Sequence, residues 1–314
     1  MMIERIKQMK TKTHYCIYAL YALYALFVVL SSCSSKKNLE NTTSVFDGQA
    51  HRGGRGLMPE NTIRAMYNAI DLGINTLEMD LQISKDKKVV VSHDSYFNSK
   101  FCLTPEGKEM TAKDGRSRWI MNMPYDSIRR YDTGLKPHPD FPNQQKMKAY
   151  KPLLSVLIDS VEAYAQKKKH INHYNIEIKT SPEYKDQGHP PVAEFVELAM
   201  KVIYDKKIQK RTTIQSFDTR SLKLVKAGYP QVKISYLVFK SNKKTIDEHI
   251  ADLGFKPDIF SPEYLMVTPE LVKACHDRKI KVVPWTINDL AAINKLKEMG
   301  VDGMISDYPD LFKK

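Results

Sequence analysis

Short β-like runs alternate with helix-like stretches from about residue 49 to the end of the 314-residue chain. This alternation limits the fold more than any other feature, because a strand, a helix and a second strand in succession place the two strands in parallel. The candidate strands are residues 49–52, 75–80, 174–179, 212–217, 233–237, 258–261, 281–285 and 303–306.

Helical patterns fill the intervals between these candidate strands. They cover residues 60–72, 153–166, 191–205, 219–227, 244–253, 269–278 and 288–299. Eight parallel strands with helical crossovers are typical of the (β/α)8 barrel, which commonly has this size as a single domain. We therefore predict an α/β fold, a TIM barrel formed by residues 49–314.

Residues 89–94 depart from the alternation. They follow the run Leu81-Gln82-Ile83-Ser84, directly after the second candidate strand, with only residues 85–88 between, whereas parallel neighbours need a crossover of a dozen or more residues. We expect this run to fold back as an antiparallel hairpin on the second strand, with Ile83 opposite Val89.

The next segment, residues 95–150, follows no strand or helix repeat. A stretch of this length without regular pattern indicates a small lobe inserted after the hairpin. It follows a strand end, on the side where barrel enzymes build their active sites. Its many aromatic residues favour an ordered lobe over a poorly ordered surface loop.

Charged side chains stand at the ends of the early candidate strands. Glu78 and Asp80 are two positions apart and therefore share one face of the second strand, and Glu177 lies on the next barrel strand. Three carboxylates from neighbouring strands can converge on one hard cation such as Ca²⁺ or Mg²⁺. The alternative is a set of salt bridges at the rim, but His51 and His93 at neighbouring strand ends favour a functional site.

Taken together, these segments resemble the glycerophosphodiester phosphodiesterase family in their order and spacing. The match runs from about residue 49 to residue 312. The segments that carry it are His51-Arg52-Gly53, Pro59-Glu60-Asn61-Thr62, Leu77-Glu78-Met79-Asp80, Lys85-Asp86, Val90-Val91-Ser92-His93-Asp94, Glu177-Ile178-Lys179, Gln215-Ser216-Phe217-Asp218, Pro284-Trp285-Thr286-Ile287-Asn288, Gly300-Val301-Asp302-Gly303 and Ser306-Asp307-Tyr308-Pro309.

The resemblance implies a TIM barrel with an inserted lobe, in agreement with the strand count. It implies hydrolysis of glycerophosphodiesters to glycerol 3-phosphate and an alcohol, with His51 and His93 as the general acid–base pair. It also implies that Glu78, Asp80 and Glu177 bind one divalent metal ion, Ca²⁺ or Mg²⁺. Imidazole suits both proton transfers because its pKa lies near neutrality.

The resemblance further implies substrate contacts. Arg52 and Lys179 would contact the phosphate or substrate oxygens, and Phe217 and Trp285 would line the alcohol side of the pocket. The segment after Asp94 lacks the Arg-Thr-Thr-x-Gly run of many members. Substrate preference therefore stays open, as does the choice between water and the substrate's own glycerol hydroxyl as nucleophile.

Residues 1–32 have the features of a bacterial lipoprotein signal peptide. Basic residues precede an apolar run at 17–30, which is too short to span a bilayer as a helix. The run ends in Leu30-Ser31-Ser32-Cys33, which resembles a lipobox, so we expect a lipid on Cys33 and a tether at 33–48. An ordinary signal peptide with a chance cysteine is the alternative. The predicted location is the bacterial cell envelope, at the periplasmic face of the outer membrane.

Two cysteines, Cys102 and Cys275, belong to the predicted domain. An oxidising compartment would permit a disulfide between them, but nothing in the sequence shows that they meet. Six further histidines have no partner in view and are expected at the surface: His138, His170, His173, His189, His249 and His276.

The net charge of +13 suits anionic partners, such as phosphate esters or an acidic membrane surface. The chain contains no recognisable nucleic-acid-binding signature, so nucleic acid is not an expected partner. Two rival functions remain: cleavage of membrane lipids in the manner of a phospholipase C or lysophospholipase D, and a non-catalytic binding lipoprotein. The second predicts losses among the two histidines and three carboxylates, and all five are present.

Overall fold

The computed structural model describes residues 46–184 and 188–313. The unit from Phe46 onward is compact in its own right. The predicted signal peptide, Cys33 and most of the predicted tether lie outside the described residues. The strands are β1 (Asp47–Ala50), β2 (Thr76–Ile83), β3 (Val89–Val91), β4 (His173–Ile178), β5 (Thr212–Ser216), β6 (Lys233–Val238), β7 (Ile259–Pro262), β8 (Lys281–Val282) and β9 (Gly303–Ser306).

Eight of these strands form a parallel barrel. Neighbours follow the order β8-β7-β6-β5-β4-β2-β1-β9, and every pair along this path is parallel. Backbone hydrogen bonds from Asp302 N to Val282 O (2.9 Å) and from Ile305 N to Pro284 O (3.0 Å) join the two ends of the path. The predicted (β/α)8 TIM barrel is confirmed.

Helices cover the outside of the barrel, and α1 shows how the sequence produces them. The Thr62 hydroxyl accepts a hydrogen bond from Ala65 N (3.1 Å) and caps the first turn. Ala65, Met66, Ala69 and Ile70 then form one buried face. The helices of the described residues are α1 (Ile63–Asp71), α2 (Ala112–Arg116), α3 (Tyr125–Ile128), α4 (Leu154–Lys168), α5 (Val192–Asp205), α6 (Thr219–Gly228), α7 (Ile246–Leu253), α8 (Pro269–Asp277) and α9 (Leu290–Glu298).

None of the helices within the described ranges combines the length and the apolar character that a membrane span requires.

Two predicted strand ends are wrong. The first strand ends at Ala50, and His51–Gly53 form a tight turn in which Arg52 has a left-handed φ of 52°. The second strand does not end at Asp80 but continues to Ile83, because the hairpin strand β3 supplies hydrogen-bonding partners for its last three residues. The predicted pairing within this hairpin, Ile83 opposite Val89, is confirmed.

The inserted segment folds as an ordered lobe with its own apolar core, as predicted. Helices α2 and α3 belong to it, and stacked rings of Phe97 and Tyr131 lie at its centre, 3.9 Å apart. The core consists of Val90, Phe97, Phe101, Cys102, Met110, Ile120, Ile128 and Tyr131. Its backbone is tied to the loop after β1, since Gln145 N donates to Leu57 O (2.8 Å).

The two remaining cysteines do not form a disulfide. Cys102 is buried in the lobe and Cys275 in the barrel core, and both are free thiols. Three histidines expected at the surface, His138, His189 and His249, are instead buried. An imidazole ring has apolar faces that pack like an aromatic side chain, as His138 does on Phe101 (ring centroids 5.0 Å apart).

Closure of the barrel depends on a glycine at the β1–β9 pair. Gly303 lies opposite Asp47, and an added Cβ would come within 2.3 Å of the Asp47 carbonyl oxygen. We expect Gly303→Ala to lower the free energy of unfolding by about 1–3 kcal/mol, because the paired strand must shift to accept the methyl group. Urea denaturation measures this change.

Gly228→Ala, at the end of α6, is the matched control, because an added Cβ there meets nothing within 4 Å. It should leave stability unchanged or slightly raised. Equal unfolding curves for Gly303→Ala and the parent would refute the close-approach argument.

Candidate active site

A cavity of about 570 Å³ opens at the carboxyl ends of the barrel strands. Asp80 is fully buried and joins Glu78 and Glu177 in a carboxylate cluster. The inserted lobe contributes Ser95 and Tyr96 to the cavity wall. The other eight residues singled out from the sequence all line the cavity: His51, Arg52, Glu78, His93, Glu177, Lys179, Phe217 and Trp285.

The three carboxylates form the centre of the site. One oxygen from each of Glu78, Asp80 and Glu177 lies within 4.8 Å of the others, and all three residues are buried. Burial, followed by the charge of Asp80, raises the pKa of Glu78 well above its ordinary value. Burial also raises the pKa of Glu177 to about 7, despite the neighbouring Lys179. A cation between these groups would offset both the burial of their charges and the repulsion between them, which together raise the two pKa values.

The donor set fits Ca²⁺ or Mg²⁺, which prefer carboxylate oxygens. Asp80 Oδ1 is buried without a hydrogen-bond donor, so it retains a lone pair for a cation. The pKa of Asp80 lies far below its ordinary value although burial opposes this, because His93 and Arg52 favour the ionised form.

Hydrogen bonds from neighbouring elements hold the carboxylates in place. Glu78 accepts from the Arg52 backbone N–H (2.6 Å) and from the Gln215 side chain on β5 (2.8 Å). Asn61 donates to Asp80 Oδ2 (2.9 Å) and accepts from the Asp80 backbone N–H (3.2 Å). Asn61 has a left-handed φ of 57°, which asparagine tolerates better than most residues. Asn61 therefore orients the cluster, and its neighbour Thr62 caps the helix.

Two cations flank the cluster. The Arg52 guanidinium donates to both carboxylate oxygens of Glu60 at 3.0 Å and lies 3.4 Å from Asp80. Lys179 lies 3.0 Å from Glu177 and 3.8 Å from Asp80. Burial disfavours the charged form of both cations, but the carboxylates outweigh it and raise the pKa of each. Both therefore carry permanent positive charge beside the cavity.

Asp307 orients the first histidine. His51 Nδ1 lies 2.5 Å from Asp307 Oδ1, and the same carboxylate accepts from Arg55 Nε (2.7 Å) and Asn288 Nδ2 (2.7 Å). Because a carboxylate only accepts, Nδ1 of His51 carries the hydrogen. Burial lowers the pKa of His51, although Asp307 opposes this. The ring is therefore neutral near pH 7, with Nε2 unprotonated.

The second histidine has a comparable partner. His93 Nδ1 lies 2.8 Å from Asp94 Oδ1, and Asn98 donates to the other oxygen of Asp94 (2.8 Å). Burial lowers the pKa of His93 to about 4, and the charges of Arg52 and Lys179 act in the same direction. This ring too is neutral near pH 7.

An aromatic wall forms one side of the cavity. Phe217 stacks on Phe239 at 4.1 Å, and Trp285 meets both rings edge-on at 5.4 and 5.5 Å. The Trp285 indole donates to the Ser261 carbonyl (2.9 Å), which fixes the ring. The wall offers an apolar surface next to the charged cluster.

Sequence reasoning named no role for several of these residues. Asp307 and Phe239 each directly follow a barrel strand, β9 and β6, so the rule that barrel strand ends carry function could have found them. Asn61 and Glu60 do not lie at a strand end. Their contacts with Asp80 and Arg52 depend on a turn that brings them back toward β2.

Comparison with known proteins supports this arrangement. The model of the glycerophosphoryl diester phosphodiesterase family matches residues 51–311. A glycerophosphodiester phosphodiesterase of Caldanaerobacter subterraneus is 28% identical over 261 residues, covering 83% of this chain and 93% of the relative. A Bacillus subtilis enzyme of the same name is 26% identical over 284 residues and covers 90% of both chains.

A solved structure extends the comparison to the fold. A Silicibacter pomeroyi protein named for this same activity has a TM-score of 0.77 and 28% identity, covering 86% of this chain and 94% of its own. The family model spans most of the barrel and includes the carboxylate cluster and both histidines. The chain belongs to the glycerophosphoryl diester phosphodiesterase family.

Proposed function

We propose that this protein hydrolyses glycerophosphodiesters to glycerol 3-phosphate and an alcohol with one divalent metal ion. The observation that carries the proposal is the cluster of Glu78, Asp80 and Glu177 in the same cavity as two histidines, each oriented by its own aspartate. Family membership supports the same reaction.

The carboxylate cluster is the proposed metal site, held by Glu78, Asp80 and Glu177. When bound, Ca²⁺ or Mg²⁺ supplies positive charge that offsets the charge developing on the phosphoryl oxygens. Arg52 and Lys179 act on the same oxygens as fixed, always protonated groups that need no rearrangement during the reaction.

The two histidines move the protons. One accepts a proton from the attacking oxygen, which belongs to water or to the substrate's own glycerol hydroxyl, and the other donates a proton to the leaving alkoxide. Both rings are neutral near pH 7, and the negative charge of a bound phosphate raises the pKa of the histidine that it adjoins. Asp307 and Asp94 hold Nδ1 of the rings, which leaves Nε2 for proton transfer.

The aromatic wall of Phe217, Phe239 and Trp285 contacts the alcohol part of the substrate in this proposal. The rings are apolar, whereas the cluster in the same cavity is charged. A glycerophosphodiester would therefore place its phosphate on the cations and its alcohol on the rings.

We further propose that a lipid on Cys33 ties the enzyme to the bacterial cell envelope, at the periplasmic face of the outer membrane. The support is the short apolar run that ends in Leu30-Ser31-Ser32-Cys33.

The reaction is tested with purified residues 36–314, which contain the whole compact unit. After chelation, release of glycerol 3-phosphate from glycerophosphoethanolamine should be lost and should return on addition of Ca²⁺ or Mg²⁺. We expect His51→Ala to lower kcat/KM by about 10²–10⁴-fold, because it removes a proton-transfer group.

His276→Ala is the matched control, since His276 is exposed and lies away from the cavity, and it should retain parental activity. Release of glycerol 3-phosphate that is unchanged both by chelation and by His51→Ala would contradict the proposal. Cleavage of lysophosphatidylcholine without any release from soluble diesters would favour the lipid-cleaving rival.

The role of Asp307 is tested by the pH profile. Asp307 raises the pKa of His51, so Asp307→Asn should move the limb of the kcat/KM profile that His51 controls to lower pH. That limb is the acid one if His51 is the general base and the basic one if His51 is the general acid. An amide also fails to hold the reactive tautomer, and we expect kcat/KM to fall by about 10²–10⁴-fold. Asp302→Asn, which removes the carboxylate bonded to His276, should leave the profile unchanged. A profile in which neither limb shifts in Asp307→Asn would exclude the proposed pairing.

The anchor is tested by Cys33→Ser in the full chain. This variant should leave the membrane fraction and should no longer incorporate a labelled fatty acid in a bacterial host. Cys16→Ser lies in the predicted signal peptide and is the control, which should stay membrane-bound. Fatty-acid labelling that survives in Cys33→Ser would disprove the anchor site.

A further inference from the structure

Five lysines, called the lysine ring below, lie at the starts of four neighbouring strands, β5 to β8, at the end of the barrel opposite the catalytic cavity. Lys233 and Lys281 are the first residues of β6 and β8, and three others lie just before β5, β7 and β8. All are exposed. Because the barrel strands are parallel, their starts meet at one end, where these lysines border a second cavity of about 290 Å³. The ring consists of Lys210, Lys233, Lys256, Lys279 and Lys281.

These charges are not neutralised within the described residues, where none of the five lysines forms an ion pair. Three aspartates border the same cavity, but each is engaged internally. Asp47 accepts from Thr76 (2.6 Å), Asp258 from Ile234 N (2.9 Å) and Asp302 from Val282 N (2.8 Å).

Helix ends add to the same positive face. The helices of a (β/α)8 barrel run back toward the strand starts, and basic residues occupy the last turns of several. Lys167 ends α4, Lys226 lies in the last turn of α6, and Lys295 and Lys297 lie in the last turn of α9. Lys168 also ends α4, but it is paired with Asp71 (2.7 Å). The last turns of α5, α7 and α8 carry aspartates, each paired with a lysine of its own helix or of the segment before it. The helix dipole accounts for cations at these positions, but it does not account for the lysine ring, which lies at the strand starts.

The opposite end of the barrel has a different charge. Three cations, Arg52, Arg55 and Lys179, line the catalytic cavity together with a larger number of carboxylates. The carboxylates are Glu78, Asp94, Glu177, Glu183 and Asp218. The three cations of the cavity lining are all paired with carboxylates, so within the described residues the lysines at the strand starts offer an anionic surface more unpaired positive charge.

The chain also enters the barrel at the lysine-ring end. Asp47 begins β1 and lines the second cavity, so residues 34–46 connect this end to Cys33. Thirteen residues span at most roughly 45 Å when fully extended. A lipid on Cys33 would keep this face within that distance of the bilayer, where headgroup charge attracts lysines.

We propose that the lysine ring is a docking surface for anionic lipid headgroups, which turns the catalytic cavity away from the membrane that holds the protein. The orientation rests on the proposed lipid anchor, but the charge attraction does not. Lipid is favoured over nucleic acid because, among the described residues that line this cavity, no exposed Phe, Tyr or Trp is available for base stacking. A cavity that faces the aqueous phase takes dissolved glycerophosphodiesters and not the lipids of the anchoring bilayer.

The test uses residues 36–314, which lack the lipid site, and vesicles of phosphatidylglycerol and phosphatidylcholine in equal parts. The parent protein should co-sediment with these vesicles at low salt. It should not co-sediment with them at 0.5 M salt, nor with vesicles of pure phosphatidylcholine. The triple variant Lys233→Gln, Lys256→Gln and Lys281→Gln should bind about 100-fold more weakly, since each lysine near the surface contributes severalfold to affinity.

A control variant loses the same charge near the cavity mouth: Lys85→Gln, Lys113→Gln and Lys243→Gln, all exposed. It should bind vesicles like the parent. Equal binding by the two triple variants, weaker binding by the control alone, or tighter parental binding to oligo(dT) than to vesicles would each overturn the docking surface. Release of glycerol 3-phosphate from a soluble diester, measured on all three proteins, should be unchanged and reports separately on the proposed reaction.

Discussion

The mutual repulsion of three buried carboxylates is the constraint around which the catalytic end of this barrel is organised. Glu78, Asp80 and Glu177 lie within 4.8 Å of one another, where water cannot screen their charges. Arg52 and Lys179 offset part of this charge, but burial, together with the charge of Asp80, still raises the pKa of both glutamates. A divalent cation at this cluster, as we propose, would balance the remaining charge.

The same constraint explains the polar interior of the barrel. A chain of buried amides runs from the cluster toward the strand starts: Gln215 donates to Glu78 (2.8 Å), Asn175 to Gln215 (3.0 Å) and to Gln49 (2.7 Å), and Gln49 to Asp47 (2.7 Å). These hydrogen bonds offset much of the desolvation penalty of polar groups at the centre of the barrel, although the Asn175 side-chain oxygen has no hydrogen-bond partner. The apolar contacts that stabilise the fold lie largely between the strands and the helices.

The two ends of the barrel thus differ in chemistry. At the carboxyl ends of the strands, carboxylates, cations and histidines are locked by partners from distant parts of the chain. At the amino ends, lysines are exposed and without ion pairs within the described ranges, while the aspartates beside them cap the barrel's own backbone. Rigid, mutually paired charges suit catalysis, and free charges suit contact with a diffuse anionic surface.

The sequence by itself determined the eight-stranded barrel, the hairpin register of Ile83 opposite Val89 and the membership of the carboxylate cluster. These features follow from periodicity, loop length and strand alternation, which act over a few residues. Tertiary structure alone decided that Asp307 pairs with His51, 256 residues away in sequence, and that Asn61 binds Asp80 while Thr62 caps α1. It also buried His249 and separated Cys102 from Cys275. Such pairings depend on closure of the barrel, which brings the strand ends together in three dimensions. The local sequence pattern therefore does not predict them.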